Sequence, residues 1–169
     1  MSIIVRPASA ADMPDLCAWN AAMAWETERK TLDPTRVQRG VAGVLAQPSR
    51  GFYLLAEIAG AAVGSLLVTY EWSDWRCGDF WWIQSVYVVA TARRQGVFRA
   101  LYAATDERAR VAGAVGLRLY ADIDNGAAQA TYERLGMQRC HYAMYEAGFA
   151  IDESPAPPVP PMPPSAAAR

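Results

Sequence analysis

The order of strand-like and helix-like segments along residues 3–146 is the feature that most constrains this fold. Short runs rich in β-branched and aromatic residues alternate with segments whose apolar residues recur at helical spacing. The predicted strands cover residues 3–5, 52–58, 63–71, 80–89, 115–121 and 137–146. Helices are predicted after Ser9 and after Asp33, over 97–112 and over 125–135. This order indicates an α/β (α+β mixed) fold around one mixed sheet.

Composition places the chain among globular domains and argues against several function classes. Its 169 residues, 53% of them apolar, fit one domain. A net charge of −1 gives no basic excess, so we expect no nucleic-acid partner and no basic membrane surface. One histidine and three separated cysteines predict no metal site, Ser-His-Asp triad or disulfide scaffold. Because no signal peptide or membrane-spanning run is present, we expect a cytoplasmic protein.

The C-terminal residues break this composition. Seven of the 11 prolines lie between Pro155 and Pro164, and such a segment cannot bury a core. We therefore predict a single domain over residues 1–150 and a proline-rich, disordered tail over 151–169. A solvated tail is the favoured interpretation, and a docking peptide for a proline-binding partner is the alternative.

The segment from Val86 to Leu101 predicts an anion-binding turn. A strand runs into a short loop and then directly into a helix. Unpaired backbone N–H groups then point at one place, where the helix dipole favours negative charge. Gly96 permits a positive φ or the close approach of a phosphate. Positive charge is added by Arg93, Arg94 and Arg99.

A second segment, from Asn125 to Met137, makes this signal more specific. It begins a helix just past a predicted strand end, where open α/β sheets bind ligands. Together the two segments resemble the GNAT superfamily of acyl-CoA-dependent N-acetyltransferases. Arg93 and Gly96 match that family's Arg/Gln-x-x-Gly-x-Gly/Ala turn. The family's later element, Asn-x-x-Ala-x-x-x-Tyr before Gly-Phe or a near equivalent, is matched by Asn125, Ala128, Tyr132, Gly136 and Met137.

The resemblance spans residues 3–146 and implies both a fold and a cosubstrate. It implies a mixed, mostly antiparallel sheet of about six to seven strands flanked by about four helices. It also implies acetyl-CoA as cosubstrate and no metal. By similarity, the strand backbone holds the pantetheine arm and polarises the thioester carbonyl at Val86, Tyr87 and Val88. The pyrophosphate is cradled by Arg93 and by the backbone of Arg94, Gln95, Gly96, Val97, Phe98 and Arg99. On the later element, Asn125 and Ala128 contact the cofactor and Tyr132 lies near the sulfur.

Phe98 departs from the family pattern, which usually has glycine or alanine at this position. Because the turn donates through backbone N–H groups, a Phe98 side chain that points into the core is tolerated. If the side chain faces the phosphates instead, cofactor binding is weakened. The apolar neighbours Val97 and Leu101 favour the first alternative.

Amine acetylation makes demands at both ends of the reaction. An amine with a pKa of about 10.4 is only about 0.1% neutral at about pH 7.4, which costs about 4 kcal/mol. The site needs a base, a water chain or surroundings that lower the pKa of the amine. At the other end, a phenol with a pKa of about 10 is a slightly uphill acid for a thiolate of about 8.5. Tyr132 is therefore expected to act chiefly by hydrogen bonding, and a packed helix tyrosine is the alternative.

The segment from Glu71 to Trp82 predicts an acceptor site, because aromatic faces and carboxylates suit a cationic amine. Glu71 is the candidate for directing deprotonation. The other substrate-binding candidates are Trp72, Asp74, Glu26 and Glu28. The alternative is that the strand tryptophans are core residues, or contacts of a homodimer that covers Trp81 or Trp82.

These expectations combine into an N-acetyltransferase. It would transfer an acetyl group from acetyl-CoA to a primary amine of a small cationic acceptor, by direct attack in a ternary complex. The runner-up is a non-catalytic acyl-CoA-binding or dimeric interaction module on the same fold. Tyr132 favours the enzyme, whereas Phe98 and the lack of an obvious base favour the module. Another nucleotide at the anion site is disfavoured, because the chain has neither Gly-x-Gly-x-x-Gly nor a phosphate-loop lysine.

Overall fold

The sheet follows the chain order of its strands. The computed structural model describes residues 2–148, and its five strands lie in the order β1-β2-β3-β4-β5. They are β1 (Ile3–Pro7), β2 (Gly51–Ile58), β3 (Ala61–Ser73), β4 (Gly78–Val88) and β5 (Gly116–Arg118). The first four pair antiparallel, and β4 pairs with β5 in parallel. The described α-helices are α1 (Met13–Glu28), α2 (Pro34–Ala46), α3 (Val97–Val111) and α4 (Gly126–Arg134).

Local side-chain chemistry fixes where the first helices begin. Before α1, the Asp12 carboxylate accepts hydrogen bonds from the Ser9 backbone N–H at 2.7 Å and from the Ser9 hydroxyl at 2.9 Å. Before α2, Asp33 accepts from the backbone N–H of Thr35 at 2.8 Å. Such caps satisfy N–H groups that have no partner inside the helix. Both predicted helix starts are confirmed.

Each face of the sheet carries its own core cluster. Strand alternation sends Leu54 to the larger cluster and Leu55 to the smaller one. The larger cluster joins the sheet to α3, which contributes Val97, Leu101 and Ala109. The smaller cluster joins the sheet to α1 and α2 through Leu16, Trp19 and Val41. As a result, α1 and α3 pack on opposite faces of the sheet.

A bulge interrupts β4 shortly before its end. Leu66–Val68 of β3 pairs with Ile83–Val86 of β4, so β4 has one residue more than its partner in this stretch. The extra residue lies at Gln84–Ser85 and shifts the side-chain alternation. Tyr87 consequently packs on the smaller cluster, on the same face as α1.

The predicted fold class is confirmed, with five strands instead of six to seven. The predicted last strand, residues 137–146, is wrong, because no strand forms there in the described chain. Alternating apolar residues become a strand only where a neighbouring backbone offers a hydrogen-bond ladder. The sheet ends at β5, which has only three residues. The strand predicted over residues 115–121 covers only Gly116–Arg118, because the chain leaves the edge of β4 after Trp82.

Contacts divide the chain into two compact units, one ending at Tyr120 and the other beginning at Ala121. The first unit contains the sheet and α1–α3, and the second contains α4. The single domain over residues 1–150 stays a prediction. The tail predicted over residues 151–169 lies outside the described residues. Within residues 2–148, none of the helices has the length and apolar character needed to cross a bilayer.

Candidate active site

The C-terminal half of β4 has one edge without a strand partner among the described residues. β5 pairs only with Phe80–Trp82, whereas β3 pairs with β4 as far as Val88. Backbone groups alternate between the two edges of an antiparallel strand, and the Val89 N–H donates to β3 at Val63 O, 2.9 Å away. The backbone groups of Val86 and Val88 therefore point to the open edge, where an extended ligand could pair with them.

The turn between β4 and α3 presents backbone donors. A 3₁₀ turn at Ala90–Ala92 is followed by Arg94 and Gly96 with φ values of 65° and 89°. Gly96 is the N-cap of α3 and gives it no side-chain cap. Within the described chain, the N–H groups of Val97 and Arg99 find no acceptor. Free donors at the positive end of a helix dipole suit a phosphate group.

Glycine is required at position 96 by conformation and not by crowding. A Cβ built there would lie 4.0 Å from the Ile3 Cδ1 atom, which is ordinary contact. The φ of 89°, by contrast, disfavours any residue with a side chain. The structure thus explains the glycine that the sequence pattern singles out.

The three arginines of the turn have different surroundings. Arg93 Nε donates to Val88 O at 2.9 Å, and Arg93 Nη2 donates to Glu26 Oε2 at 2.6 Å. Arg94 and Arg99 are exposed and form no ion pair with a described carboxylate. The charge of Arg93 is therefore already balanced, and Arg94 and Arg99 are the cations left to attract an anion.

Glu26 lies beside this turn, away from the other predicted acceptor residues. Its second oxygen accepts a hydrogen bond from the Tyr87 hydroxyl at 3.0 Å, and the Arg93 guanidinium lies 5.5 Å from the Tyr87 ring centroid. Hydrogen bonds from Arg93 and Tyr87 hold the pKa of Glu26 below its usual range. Glu26 is consequently an ionised, paired carboxylate and a poor general base.

Phe98 packs toward the core. Its ring is partly buried against the larger cluster and lies 6.2 Å from the Tyr102 ring centroid. This placement corresponds to the first of the two predicted alternatives, in which the side chain points inward and the start of α3 presents its backbone.

The aromatic and acidic segment predicted to bind the acceptor lies at the far end of β4. Trp72 and Asp74 belong to the β3–β4 hairpin tip, where Trp72 is 62% exposed and Asp74 Oδ1 accepts from the Trp75 N–H at 2.8 Å. Because β4 rises about 3.4 Å per residue, this tip and the Arg94–Gly96 turn are about 30 Å apart. The structure does not bring the two predicted sites together.

Glu71 is also remote from the open edge of β4. Its carboxylate pairs with Arg118, whose guanidinium carbon lies 3.7 Å from the Phe80 ring centroid. Leu66 is the β3 partner of Val86, and Glu71 lies five residues further along β3, about 17 Å away. From there Glu71 cannot contact an amine bound at Val86.

Two other predicted residues, Glu28 of the acceptor set and Trp81 of the dimer alternative, are engaged in contacts within the first unit. Glu28 pairs with Lys30 on the surface. Trp81 is only 8% exposed and packs edge-on against Phe52, with 5.1 Å between ring centroids. Trp81 is therefore a core residue, and a dimer cannot be built by covering it.

A narrow cleft that the sequence did not reveal lies between α1 and the bulged part of β4. In this structure it is too narrow to hold a water molecule, and it is lined by Trp19, Asn20, Met23, Ser65, Ser85 and Tyr87. Ser65 is only 5% exposed, and neither serine hydroxyl bonds to another described side chain. Ser85 and Tyr87 flank Val86, so the cleft adjoins the open edge. A polar Ser65 inside an apolar strand was the available signal, whereas the bulge that exposes Ser85 leaves none.

The second unit holds the later sequence element. Asn125 Oδ1 accepts from the Ala128 N–H at 3.0 Å and so caps α4. At the other end, Gly136 has a φ of 87°, and the Met137 N–H donates to Tyr132 O at 3.1 Å. These bonds form a Schellman-type C-cap. Tyr132 lies on the last turn of α4, and burial raises the pKa of its phenol, which is therefore protonated at neutral pH.

The family model for the acetyltransferase (GNAT) family matches residues 13–137. The chain therefore belongs to the GNAT acetyltransferase family, whose members use acetyl-CoA as cosubstrate. The described residues include no group of three or more His, Cys, Asp and Glu side chains that could hold a metal ion.

Individual relatives agree with this assignment. A mycothiol acetyltransferase of Corynebacterium aurimucosum is 31% identical over 120 residues, which are 69% of this chain and 40% of that protein. A crystal structure described as a possible acetyltransferase from Clostridium difficile 630 is 39% identical, with a TM-score of 0.82 over 88% of this chain and 99% of the other.

More distant structures share the fold alone. An aminoglycoside acetyltransferase from an uncultured soil metagenomic sample, solved with sisomicin, is 17% identical. Its TM-score is 0.69 over 87% of this chain and 97% of the other.

Proposed function

We propose that this protein transfers an acetyl group from acetyl-CoA to a primary amine of a small acceptor, by direct attack in a ternary complex. The observation that carries the proposal is the open edge of β4 leading into the uncapped start of α3. Acetyl-CoA supplies the activated thioester and the anionic groups that this arrangement suits. The backbone of Val86 and Val88 would pair with the pantetheine arm. The N–H groups from Arg94 to Arg99 would hold the pyrophosphate, with the Arg94 and Arg99 side chains adding charge.

The acceptor amine is assigned to the mouth of the cleft between α1 and β4, because the cleft itself is too narrow to hold it. The side chains that line it, among them Asn20, Ser65 and Ser85, are uncharged, so they favour the neutral form of a bound amine over its ammonium form. Such surroundings lower the pKa of the amine and reduce the cost of exposing its lone pair. A carboxylate base is then not required, and water can carry the proton to solvent.

Tyr132 is assigned to the departing sulfur. A phenol whose pKa is raised by burial is a still weaker acid toward a thiolate of about 8.5. It remains a hydrogen-bond donor throughout the neutral range. Its role is therefore to stabilise negative charge on the sulfur by hydrogen bonding, while the thiolate takes its proton from solvent.

The test combines binding with turnover. Acetyl-CoA binding to the full chain is measured by calorimetry, and release of the CoA thiol is followed with a panel of small amines, amino acids, amino sugars and polyamines. Acetyl-CoA binding together with amine-dependent thiol release and an acetylated product supports the proposal. Binding without turnover for every amine class would favour a non-catalytic acyl-CoA-binding module, and absence of binding would refute the cofactor site.

A further inference from the structure

The Arg93 side chain joins three elements at the cofactor turn. It follows the 3₁₀ turn in sequence, reaches back to the last carbonyl of β4 at Val88 over 2.9 Å, and contacts Glu26 of α1 over 2.6 Å. The Tyr87 hydroxyl holds the other Glu26 oxygen at 3.0 Å. Glu26 thus has a separate donor on each oxygen, which fixes the rotamer of a long side chain at a half-exposed position.

This network decides which backbone groups at the end of β4 are free. The Val88 carbonyl is occupied by Arg93, so the Val88 N–H is the group that this residue can offer to a ligand. The same contact holds the chain on either side of the 3₁₀ turn, since Val88 precedes the turn and Arg93 follows it. The direction of the N–H groups from Arg94 onward depends on this contact between Arg93 and Val88.

Glu26 also determines the position of the Arg93 guanidinium group. Without Glu26, Arg93 would keep only the bond from Nε to the Val88 carbonyl and the contact with the Tyr87 ring, and its Nη2 group would be free to turn toward solvent or a bound phosphate. With Glu26 as its partner, the guanidinium is kept at the strand end, because a charge-assisted hydrogen bond is stronger than a neutral one.

We infer that Glu26 is a positioning residue for acetyl-CoA binding: it acts through Arg93 to hold the turn in its binding conformation. The inference rests on the proposed function, because it presumes that the turn binds acetyl-CoA. Glu26 belongs to the same helix that supplies Trp19, Asn20 and Met23 to the acceptor cleft. The pair therefore ties the cleft wall to the cofactor turn.

The test is a double-mutant cycle on acetyl-CoA affinity, measured by calorimetry without any acceptor. Glu26→Gln is expected to raise the Kd for acetyl-CoA about threefold to tenfold. The Glu26 carboxylate accepts a hydrogen bond on each of its two oxygens, whereas a neutral amide has only one oxygen to accept with. Arg93→Gln is expected to have a similar effect. The double variant is expected to bind no more weakly than Arg93→Gln alone, because residues that act through one another are not additive.

Asp106→Asn is the matched control. Asp106 and Arg110 also form a carboxylate–arginine pair, with bonds of 2.8 and 3.1 Å, but they lie on α3 away from the turn. This variant is expected to keep the wild-type Kd, and thermal unfolding of all variants verifies that they fold.

The outcomes separate the inference from the proposed function. If the wild type binds acetyl-CoA and Glu26→Gln binds equally well or more tightly, the positioning role is refuted and the proposed function stands. Additive losses in the double variant would also refute it, since Glu26 would then not act through Arg93. If the wild type does not bind acetyl-CoA at all, the proposed function fails and the inference fails with it.

Discussion

The two sequence elements that define the family differ in what their marked residues do. In the turn after β4, Gly96 takes a left-handed conformation, and the N–H groups of Val97 and Arg99 have no acceptor among residues 2–148. In the second unit, Asn125 and Gly136 are used to build α4 itself, one as its N-cap and the other in its C-cap. The turn therefore displays unsatisfied groups, whereas the helix has its own ends satisfied.

This difference shows that two sequence motifs that are equally easy to recognise can differ in how many of their residues are available to a ligand. In the turn, the motif residues expose backbone N–H groups, and these are the groups that we propose bind acetyl-CoA. In α4, most of the motif spacing is explained by helix capping, because a cap residue and a C-terminal glycine recur around any short helix. Tyr132 is the residue of that motif to which we assign a role in the reaction.

The largest effect is expected at Tyr132. Tyr132→Phe should lower kcat about 100-fold, within the range for loss of one hydrogen bond to a developing negative charge, and leave acetyl-CoA affinity within about twofold. Because burial raises the pKa of Tyr132, the wild-type rate should not fall through titration of this phenol until the pH exceeds about 10. Single-turnover kinetics over a range of pH measure both the loss of rate in the variant and the pH dependence of the wild-type rate. An unchanged kcat would show that the Tyr132 hydroxyl takes no part in the reaction.

The second largest effect is expected at Gly96, where a substitution should change the affinity for acetyl-CoA and not the turnover rate. Gly96→Ala should weaken acetyl-CoA binding about tenfold, because a side chain disfavours the left-handed conformation that aims the N–H groups. Gly60→Ala is the matched control: Gly60 has a φ of 80° and open space around a Cβ, but it lies in the β2–β3 turn. Both variants should lose about 1 kcal/mol of unfolding free energy. Equal Kd values in the two variants would mean that the turn is not the cofactor site.

Much of the first unit is predictable from sequence, because its signals are local. The Ser9–Asp12 and Asp33 caps, the hairpin at Ala59–Gly60 and the glycine before α3 each act within a few residues. The failed prediction, a strand over residues 137–146, depended on something not local. Its alternation is present, but a strand also requires a partner edge, and no pattern within one segment states whether the sheet provides it.

The local conformation of the turn before α3 was predictable for a similar reason, whereas the position of the aromatic and acidic segment was not. Arg94, Gly96 and Val97 are neighbours in sequence and in space. The carboxylates and tryptophans near Glu71 are residue types that bind cationic amines. Their distance from Val86, however, is set by the register between β3 and β4. The bulge at Gln84–Ser85, which places Ser85 in the lining of the cleft, is a one-residue mismatch between two strands, and the sequence of either strand alone does not show it.

A smaller effect is expected at Asn125, and it tests whether this motif residue serves the helix or the ligand. Asn125→Ala removes the cap and should cost about 1 kcal/mol of helix stability, seen as faster amide hydrogen exchange in α4. Asn125→Ser keeps a capping oxygen and lacks the amide donor. If capping is the whole role, the serine variant exchanges and binds acetyl-CoA like the wild type. Weaker binding by the serine variant, with normal exchange, would instead assign the Asn125 amide to the cofactor.

The smallest effect is expected at Glu71. The sequence predicts that Glu71 directs deprotonation of the amine, whereas in the structure its carboxylate forms an ion pair with Arg118. Glu71→Gln should leave kcat and KM for the amine within about twofold, because strand rise places this residue about 17 Å from Val86. Loss of the ion pair with Arg118 should change thermal stability by less than about 1 kcal/mol, since both side chains are substantially exposed. Ser85→Val, at the cleft, provides the contrast, because it removes a hydroxyl from the assigned acceptor site and should raise KM for the amine. If Glu71→Gln abolishes turnover while Ser85→Val does not, the acceptor binds at the hairpin tip, and the cleft beside α1 is not the site of transfer.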